Sequence, residues 1–199
     1  WTDQNRFNRE RIFCMGEEGR WSQLKFVTSN EDKVREASEI LGYPLEQVSA
    51  VMIYEKQTYD VSEVILHKAK QAYEELKCPV LVEDSSLDFT AWNGLPGALV
   101  KWFECSVGCE GLLKMLEGFE NREAHAVCIA AVFDGREMRM GMGEVKGTIA
   151  DDVRGENGFG WDVIFIPEGH ERTYAEMSSS EKNDISHRRQ AFEELKKNL

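Results

Sequence analysis

This sequence lacks the positive charge to balance its acids. The 199 residues include 24 Lys and Arg against 36 Asp and Glu, which gives a formal net charge of −12. This balance disfavours a broad contact with nucleic acid or with an anionic membrane, so we expect neither as a partner. It leaves room for one small anionic ligand held by a local group of cations, and surplus carboxylates suit a divalent metal.

Long apolar runs and paired cysteines are also missing. No apolar run approaches the ~20 residues that a membrane-spanning helix needs, and no signal-peptide pattern is present. The five cysteines are scattered, and the pair Cys105 and Cys109 has no second pair or histidine cluster to complete a metal site. We therefore expect free, reduced thiols and a cytoplasmic protein.

The length suits one domain or two closely joined lobes around a continuous core, and we place this body at residues 24–199. Residues 1–23 are polar and lack clear periodicity. We interpret them as a peripheral N-terminal arm whose few apolar side chains, such as Phe13 and Trp21, can dock on the body.

The body begins with strands that alternate with helices. A short strand over 24–28 precedes a helix that Ser29 or Asn30 can cap and Gly42 can end. A second helix is predicted over 62–77 with Ser62 as its cap, followed by a buried strand over 79–84 that ends on two acids.

The second half reads as a meander with helices at its ends. The predicted elements are a short helix over 109–117, strands over 125–133 and 137–149 joined at Asp134-Gly135, a strand over 161–167, and a last helix that carries residues 181–195. Ile185, Phe192 and Leu195 are expected to face the core from that helix. Alternation followed by a meander predicts an α/β fold with a mixed sheet and ligands at strand ends.

The stretch "TSNEDKVRE" over 28–36 joins the first strand to the first helix. Exposed amides at a helix start favour a phosphate, and Thr28, Ser29 and Asn30 add small donors. Lys33, one turn later, can bring a positive charge to the same ligand. Plain capping with a solvated lysine is the alternative, and the glycine-rich run of a P-loop is absent.

Two adjacent acids, Glu83 and Asp84, lie in "VLVEDSSLDF" at 80–89. In an extended chain their side chains point to opposite faces, so one can meet a metal while the other meets a neighbouring group. The alternative is that strand-end acids followed by Ser85 only cap a turn.

Three further stretches carry candidate residues. In "NGLPGALVKWF" at 93–103, Lys101 follows loop residues, and loop punctuation is the simplest reading. In "NGFGWDVIF" at 157–165, Phe159 or Trp161 can stack on a planar base while Asp162 reads its edge, although a buried aromatic pair explains the same pattern. In "EKNDISHRRQAFEEL" at 181–195, a cationic site competes with a solvated helix face.

Together these stretches resemble the inosine triphosphate pyrophosphatases, the Ham1-like enzymes, and especially their eukaryotic-type members. The resemblance covers roughly residues 24–198. Its motifs are T-x-N-x-x-K-x-x-E at 28–36, "VEDSSL" at 82–87, "GLPG" with "KWF" at 94–103, "FGWD" at 159–162, "TYAEM" at 173–177 and "EKNDISHR" at 181–188. It implies the Ham1/ITPase-like (anticodon-binding-like) α/β fold, with a long mixed central sheet, flanking helices, and a cleft between two lobes.

The resemblance also implies an activity. Members of this family hydrolyse non-canonical purine nucleoside triphosphates such as ITP, dITP and XTP to the monophosphate and pyrophosphate, in a house-cleaning role for nucleotide pools. The implied cofactor is Mg²⁺, with Mn²⁺ as a substitute, and the implied assembly is a homodimer.

The residues that the resemblance implies fall into three groups. The catalytic group is Asp84, Lys33 and Glu83. The metal group is Glu55 and Asp84. The substrate-binding group is Thr28, Ser29, Asn30, Lys33, Lys68, Ser85, Lys101, Phe159, Gly160, Trp161, Asp162, Lys182, His187 and Arg188.

Two other functions remain open at this point. A nucleotide-binding module that has lost catalysis would keep the same pocket, with its arm recruiting a partner. A related house-cleaning enzyme for modified pyrimidines is disfavoured by the combination of "FGWD" and "SHR".

Overall fold

The computed structural model describes residue 21 and residues 23–199, and it confirms the predicted α/β class. The strands are β1 (Lys25–Val27), β2 (Glu46–Val48), β3 (Val80–Phe89), β4 (Pro96–Gly97), β5 (Glu123–Phe133), β6 (Met138–Ile149) and β7 (Phe165–Pro167). The helices are α1 (Glu31–Leu41), α2 (Val61–Leu76), α3 (Val100–Leu116), α4 (Ser179–Ile185) and α5 (His187–Asn198). Short 3₁₀ turns cover Thr90–Trp92, Gly160–Val163 and Tyr174–Glu176.

The sheet is mixed, as predicted. Its seven strands follow the order β2-β1-β3-β5-β6-β7, with β4 paired to β3. β1 runs parallel to β2 and β3, whereas the pairs β3–β5, β5–β6 and β6–β7 are antiparallel. The sheet therefore changes from parallel to antiparallel at β3, the strand that carries Glu83 and Asp84.

The ends of the first two helices follow from capping chemistry. Asn30 is the cap of α1, since its Oδ1 accepts from the amides of Asp32 and Lys33 at 2.9 and 3.2 Å, and Gly42 ends the helix at φ 67. The prediction that Ser62 caps α2 is wrong. Asp60 does so, because it is extended at φ −80 and its Oδ1 accepts from the Ser62 amide at 2.8 Å.

Two predicted strand bounds are also wrong. β3 continues five residues beyond Asp84 to Phe89, because its whole length pairs with β5, with Asp84 opposite Ile129. The predicted strand over 161–167 is a 3₁₀ turn followed by the three residues of β7. Only the last three residues of the run pair with β6, and Trp161 is buried by packing of the turn.

Two helices differ from expectation because of single residues. α3 begins at Val100 instead of 109, and Gly108, at φ 71 and ψ 177, breaks it into two pieces. The predicted last helix is divided at Ser186, whose extended backbone ends α4 and whose Oγ accepts from the Arg189 amide at 3.1 Å to begin α5.

Helices cover both faces of the sheet. On one face, α2 packs Ile65 and Ala69 against Val80 and Val82 of β3. On the other face, α1 and α5 pack around Leu81, and Phe192 and Leu195 are fully buried there, as predicted. A third cluster lies at the far end of β3 and β5, around α3 and the 3₁₀ turns, with Ile185 packed against it.

The predicted arm lies mostly outside the described residues. Trp21 is 3% exposed and packs in the cluster around Leu81, so this part of the arm docks as expected. Cys78, Cys105, Cys109 and Cys128 carry free thiols, while Cys14 lies outside the described residues. None of the helices described at 21 and 23–199 is long and apolar enough to cross a membrane.

Candidate active site

The two adjacent acids of β3 point to opposite faces of the sheet, as predicted. Glu83 lies on the face of α1 and α5, where it is fully buried. Asp84 lies on the face of α2, with its side chain 20% exposed. Because β1 ends at Val27, opposite the region before Glu83, both acids emerge where the parallel strands stop. This is the edge at which α/β sheets bind ligands.

Two lysines converge on Asp84. Lys33 Nζ lies 3.1 Å from Asp84 Oδ1 and 3.3 Å from Glu83 Oε2. Lys68 Nζ lies 3.5 Å from Asp84 Oδ2 and donates to the Glu83 carbonyl oxygen at 3.0 Å. Burial alone would raise the pKa of Asp84, but the charges of Lys33 and then Lys68 outweigh it and lower the pKa. Burial would lower the pKa of Lys33, but Asp84 and Glu83 raise it, so both partners stay charged.

The loop before α1 lies beside these charges. Thr28 Oγ1 accepts from the Asn30 amide at 3.1 Å, and the Asn30 side chain is occupied in capping. Thr28, Ser29 and Asn30 all line the same cavity as Lys33. The capping interpretation is thus correct for Asn30, and the start of α1 still faces the cavity.

Glu55 and Lys101 lie at the mouth of the cavity. Their side chains are 36% and 60% exposed, and Lys101 Nζ lies 3.8 Å from Glu55 Oε1. In the part of the chain that the structure describes, no group of three or more His, Cys, Asp or Glu residues has the geometry of a metal site. Glu55 and Asp84 both line the cavity.

The "FGWD" stretch forms a 3₁₀ turn that Asp162 closes. Asp162 Oδ2 accepts from the Phe159 amide at 2.8 Å and from Lys182 Nζ at 2.5 Å. Gly158, at φ 71, has no room for a side chain, because a Cβ there would come 2.2 Å from the same carboxylate oxygen. Lys182 Nζ also lies 4.7 Å from the centroid of the Phe159 ring.

A buried network of charges supports this turn from behind. Glu36 of α1 accepts from Lys182 Nζ at 2.7 Å and from Arg188 Nη1. Arg188 Nη2 also donates to Glu83 Oε1 at 3.1 Å and to Ser85 Oγ at 3.2 Å. Burial would raise the pKa of Glu36, but the charges of Arg188 and then Lys182 outweigh it and lower the pKa, so this carboxylate stays ionised.

His187 completes the wall of the cleft. Its ring stacks near Trp161 and Tyr174, with centroids 5.2 and 6.0 Å away. Burial, reinforced by the charges of Arg188 and Lys182, lowers the pKa of His187 well below its ordinary value, so the ring is neutral. Three polar atoms here have no hydrogen-bond partner among the described residues: both ring nitrogens of His187 and Nε of Arg188. Both side chains line the cavity, and these polar atoms are buried in its wall without a partner in the described part of the chain.

The cleft consists of two adjoining cavities of about 800 and about 250 Å³. We call the larger one the phosphate end and the smaller one the base end. Five predicted residues line both: Asn30, Lys33, Glu55, Asp84 and Lys101. Thr28, Ser29 and Lys68 line only the phosphate end, whereas Ser85, Phe159, Gly160, Trp161, Asp162, His187 and Arg188 line only the base end.

Two predicted residues lie behind the wall of the cleft. Lys182 is 3% exposed and Glu83 is fully buried, and both are held by ion pairs. The sequence motifs predict no role for Glu36, although it ends the first motif, and none for Glu104, which lines the base end. The only sequence indication for Glu104 is its position four residues after Val100, on one face of α3.

This is an α/β protein whose cleft joins a cavity lined by lysines and Asp84 to a cavity lined by aromatic rings. A model of the Ham1 family matches residues 24–198. The chain therefore belongs to the Ham1 family.

Individual relatives agree with this assignment. The chain is 46% identical over 174 residues to the inosine triphosphate pyrophosphatase of Yarrowia lipolytica, covering 86% of this chain and 92% of that protein. It is 40% identical over 188 residues to that of Scheffersomyces stipitis, covering 88% and 96%. Among solved structures, the HAM1 protein from Coxiella burnetii matches with a TM-score of 0.76 at 30% identity, covering 87% of this chain and 97% of that one.

Proposed function

We propose that this chain hydrolyses non-canonical purine nucleoside triphosphates, such as ITP, dITP and XTP, to the monophosphate and pyrophosphate. This reaction would remove such nucleotides from the cellular pool. The observation that carries the proposal is one continuous cleft with lysines and an ionised Asp84 at one end and aromatic rings with unpaired polar atoms at the other. The relatives named inosine triphosphate pyrophosphatase support it.

Asp84 is the proposed base for the attacking water. Its lowered pKa keeps it ionised at neutral pH, and it lines both cavities, where the triphosphate would lie. Lys33 stays an ammonium and would offset the charge that develops on the leaving pyrophosphate. Glu83 does not reach the cavity; its Oε2, 3.3 Å from Lys33 Nζ, would instead position that lysine.

The remaining residues of the phosphate end would hold the triphosphate. The amides at the start of α1, together with Thr28 and Ser29, favour phosphate oxygens. Lys68 and Lys101 line the same cavity and add positive charge.

The carboxylates present fit a Mg²⁺ ion that arrives with the nucleotide. Mg²⁺ is usually held by one or two carboxylates together with substrate phosphates, rather than by a full cage of protein ligands. Glu55 and Asp84 supply two such groups in the cleft, and we propose that they hold Mg²⁺, with Mn²⁺ as a substitute. A bound ion would supply Lewis-acid stabilisation and a more acidic water.

The base end suits a 6-oxopurine. The neutral imidazole of His187 carries one N–H, and Arg188 Nε–H is a second donor without a partner among the described residues. A 6-oxo group accepts from such donors, whereas the 6-amino group of adenine leaves them unpaired. Mismatches of this kind can discriminate by ~10⁴ or more. Phe159 and Trp161 would stack on the base.

We further propose that the protein is a cytoplasmic homodimer without a nucleic-acid partner. The charge of −12 supports the last point. Light scattering coupled to gel filtration would test the assembly.

The test is a side-by-side measurement of turnover with ITP, XTP, dITP, dUTP, GTP and ATP in the presence of Mg²⁺. We expect the inosine and xanthosine nucleotides to be hydrolysed fastest. If the folded protein hydrolyses none of the inosine and xanthosine nucleotides, the proposal is wrong. Tight ITP binding without hydrolysis would instead identify an inactive nucleotide-binding module, and a preference for dUTP would identify a pyrimidine enzyme.

A further inference from the structure

Glu104 has no role in the reaction described so far, yet its carboxylate is directed into the cleft. It lies one helical turn after Val100, which is 4% exposed, so both side chains are on the inward face of α3. Its Oε1 is closed to solvent and has no hydrogen-bond partner in the described part of the chain. Leaving a buried carboxylate oxygen unpaired is costly, which suggests that a ligand supplies the missing partner.

The carboxylate lies at the turn that would surround the base. It lines the base end, and a Cβ placed on Gly160 would come 3.0 Å from Glu104 Oε1. Cys109 lies on the same helix, and its Sγ donates to the Gly160 carbonyl oxygen at 3.8 Å. Glu104 is thus placed against the 3₁₀ turn.

The charged groups that act on Glu104 come from two other elements. Asp162 acts from the 3₁₀ turn and Lys33 from α1, while Cys109 is its titratable neighbour on α3. Burial, and then the negative charge of Asp162, raise the pKa of Glu104 to about 7, with Lys33 opposing. Burial also raises the pKa of the Cys109 thiol to about 12, so that group stays neutral.

We propose that Glu104 is a specificity-determining residue whose carboxylate accepts a hydrogen bond from a donor on the nucleoside half of the substrate. At pH 8, above its pKa of about 7, the Glu104 carboxylate is ionised and only accepts. Phosphate oxygens also only accept, so the phosphates are excluded as its partner in that state. The nucleoside offers two sources of the same chemistry, the N–H of an oxopurine and the hydroxyls of the ribose. This inference rests on the proposed function, because it takes a nucleotide as the ligand.

Binding of a non-hydrolysable ITP analogue, with a methylene group between the α and β phosphorus atoms, tests the inference by calorimetry with Mg²⁺. At pH 8 we expect E104L to weaken binding by about 10- to 100-fold, the range for a lost hydrogen bond to a charged group. At pH 6, where wild-type Glu104 is protonated, the difference should shrink several-fold. E104Q keeps a neutral acceptor, so at pH 8 its affinity for the analogue should fall between those of the wild type and E104L.

The matched control is E117Q, which makes the same change at an exposed position of the C-terminal end of α3. It should bind like the wild type at both pH values. Repeating the comparison with 2′-deoxy and 3′-deoxy analogues separates the two sources. A loss that disappears with a deoxy analogue identifies a ribose hydroxyl, and a loss that persists with both identifies the base.

Equal affinity of E104L and the wild type at pH 8, or tighter binding by E104L, would overturn the inference. If E104L does not fold, the same criterion applies to E104Q. The assay requires no turnover, so a wild type that binds the analogue but does not hydrolyse ITP would refute the proposed function while still testing Glu104.

Discussion

The charged side chains at the two ends of the cleft differ in how deeply they are buried. At the base end, four buried charged side chains are each at most 3% exposed and form ion pairs within the group: Glu36, Asp162, Lys182 and Arg188. At the phosphate end, the side chains of Lys33, Lys68 and Asp84 are 12–20% exposed and meet one another across an open cavity. The ion pairs at the base end are therefore part of the folded core. At the phosphate end, a bound triphosphate can separate the lysines from Asp84. Substitutions in the buried ion pairs at the base end should affect stability, and substitutions at the phosphate end should affect turnover.

The largest expected effect belongs to Asp84→Asn at the phosphate end. Losing a positioned base should lower kcat by about 10³-fold, within the range for general base catalysis. The fold should persist because the side chain is partly open to solvent. Pyrophosphate release from ITP measures the loss, and circular dichroism checks the fold.

The matched control for this change is Asp88→Asn, four residues along β3 and outside both cavities of the cleft. It should keep turnover within about twofold, since that position contacts no reacting group. An Asp84→Asn variant with more than a tenth of wild-type turnover would contradict the assignment of the base.

The next effect is on stability, from Glu36→Gln behind the base end. Removing one partner of a buried ion pair leaves Lys182 and Arg188 without full compensation and should lower the free energy of unfolding by about 3–5 kcal/mol. Urea unfolding followed by fluorescence measures it.

An exposed pair on α5 gives the control for this measurement. Arg189 Nε lies 2.8 Å from Glu193 Oε1, with side chains 35% and 48% exposed. Glu193→Gln should cost no more than about 1 kcal/mol. If Glu36→Gln costs as little as Glu193→Gln, the claim that the buried network stabilises the fold is wrong.

The smallest expected effect is a pH dependence from His187. Its folded pKa is below the unfolded value of about 6.5, so its contribution to stability is complete above that pH and is lost as pH falls toward the folded pKa. Between pH 7 and 5 the wild type should lose about 2 kcal/mol more than His187→Gln. Chemical denaturation at each pH measures the difference.

His170 is exposed and provides the comparison, because His170→Gln should keep the wild-type slope. Identical slopes in the wild type and in His187→Gln would show that the buried ring contributes no such dependence.

The sequence predicted the local features of the site well. The Asn30 cap, the Gly42 end of α1 and the opposite faces of Glu83 and Asp84 follow from rules that act over a few residues. The contacts between Glu36 and Lys182 were not predictable, because they join positions separated by 146 residues. Their meeting depends on how α1 and α4 pack.

The wrong predictions of secondary structure also arise because packing decides the outcome. An apolar run at 161–167 is compatible with a strand or with a buried turn, and only packing of Trp161 against Phe165 and His187 decides between them. The break at Ser186 was hidden inside a stretch with helical composition on both sides. The resemblance identified the site residues as a group, but it could not show that Lys182 lies behind the wall of the cleft.

The most direct test of the central claim is a quantitative product analysis of ITP hydrolysis by the wild type with Mg²⁺. Phosphorus NMR or ion chromatography would follow every phosphate-containing product through the reaction. We expect one pyrophosphate for each inosine monophosphate, without orthophosphate or inosine diphosphate. Release of orthophosphate together with inosine diphosphate, or no reaction by the folded chain, would contradict it.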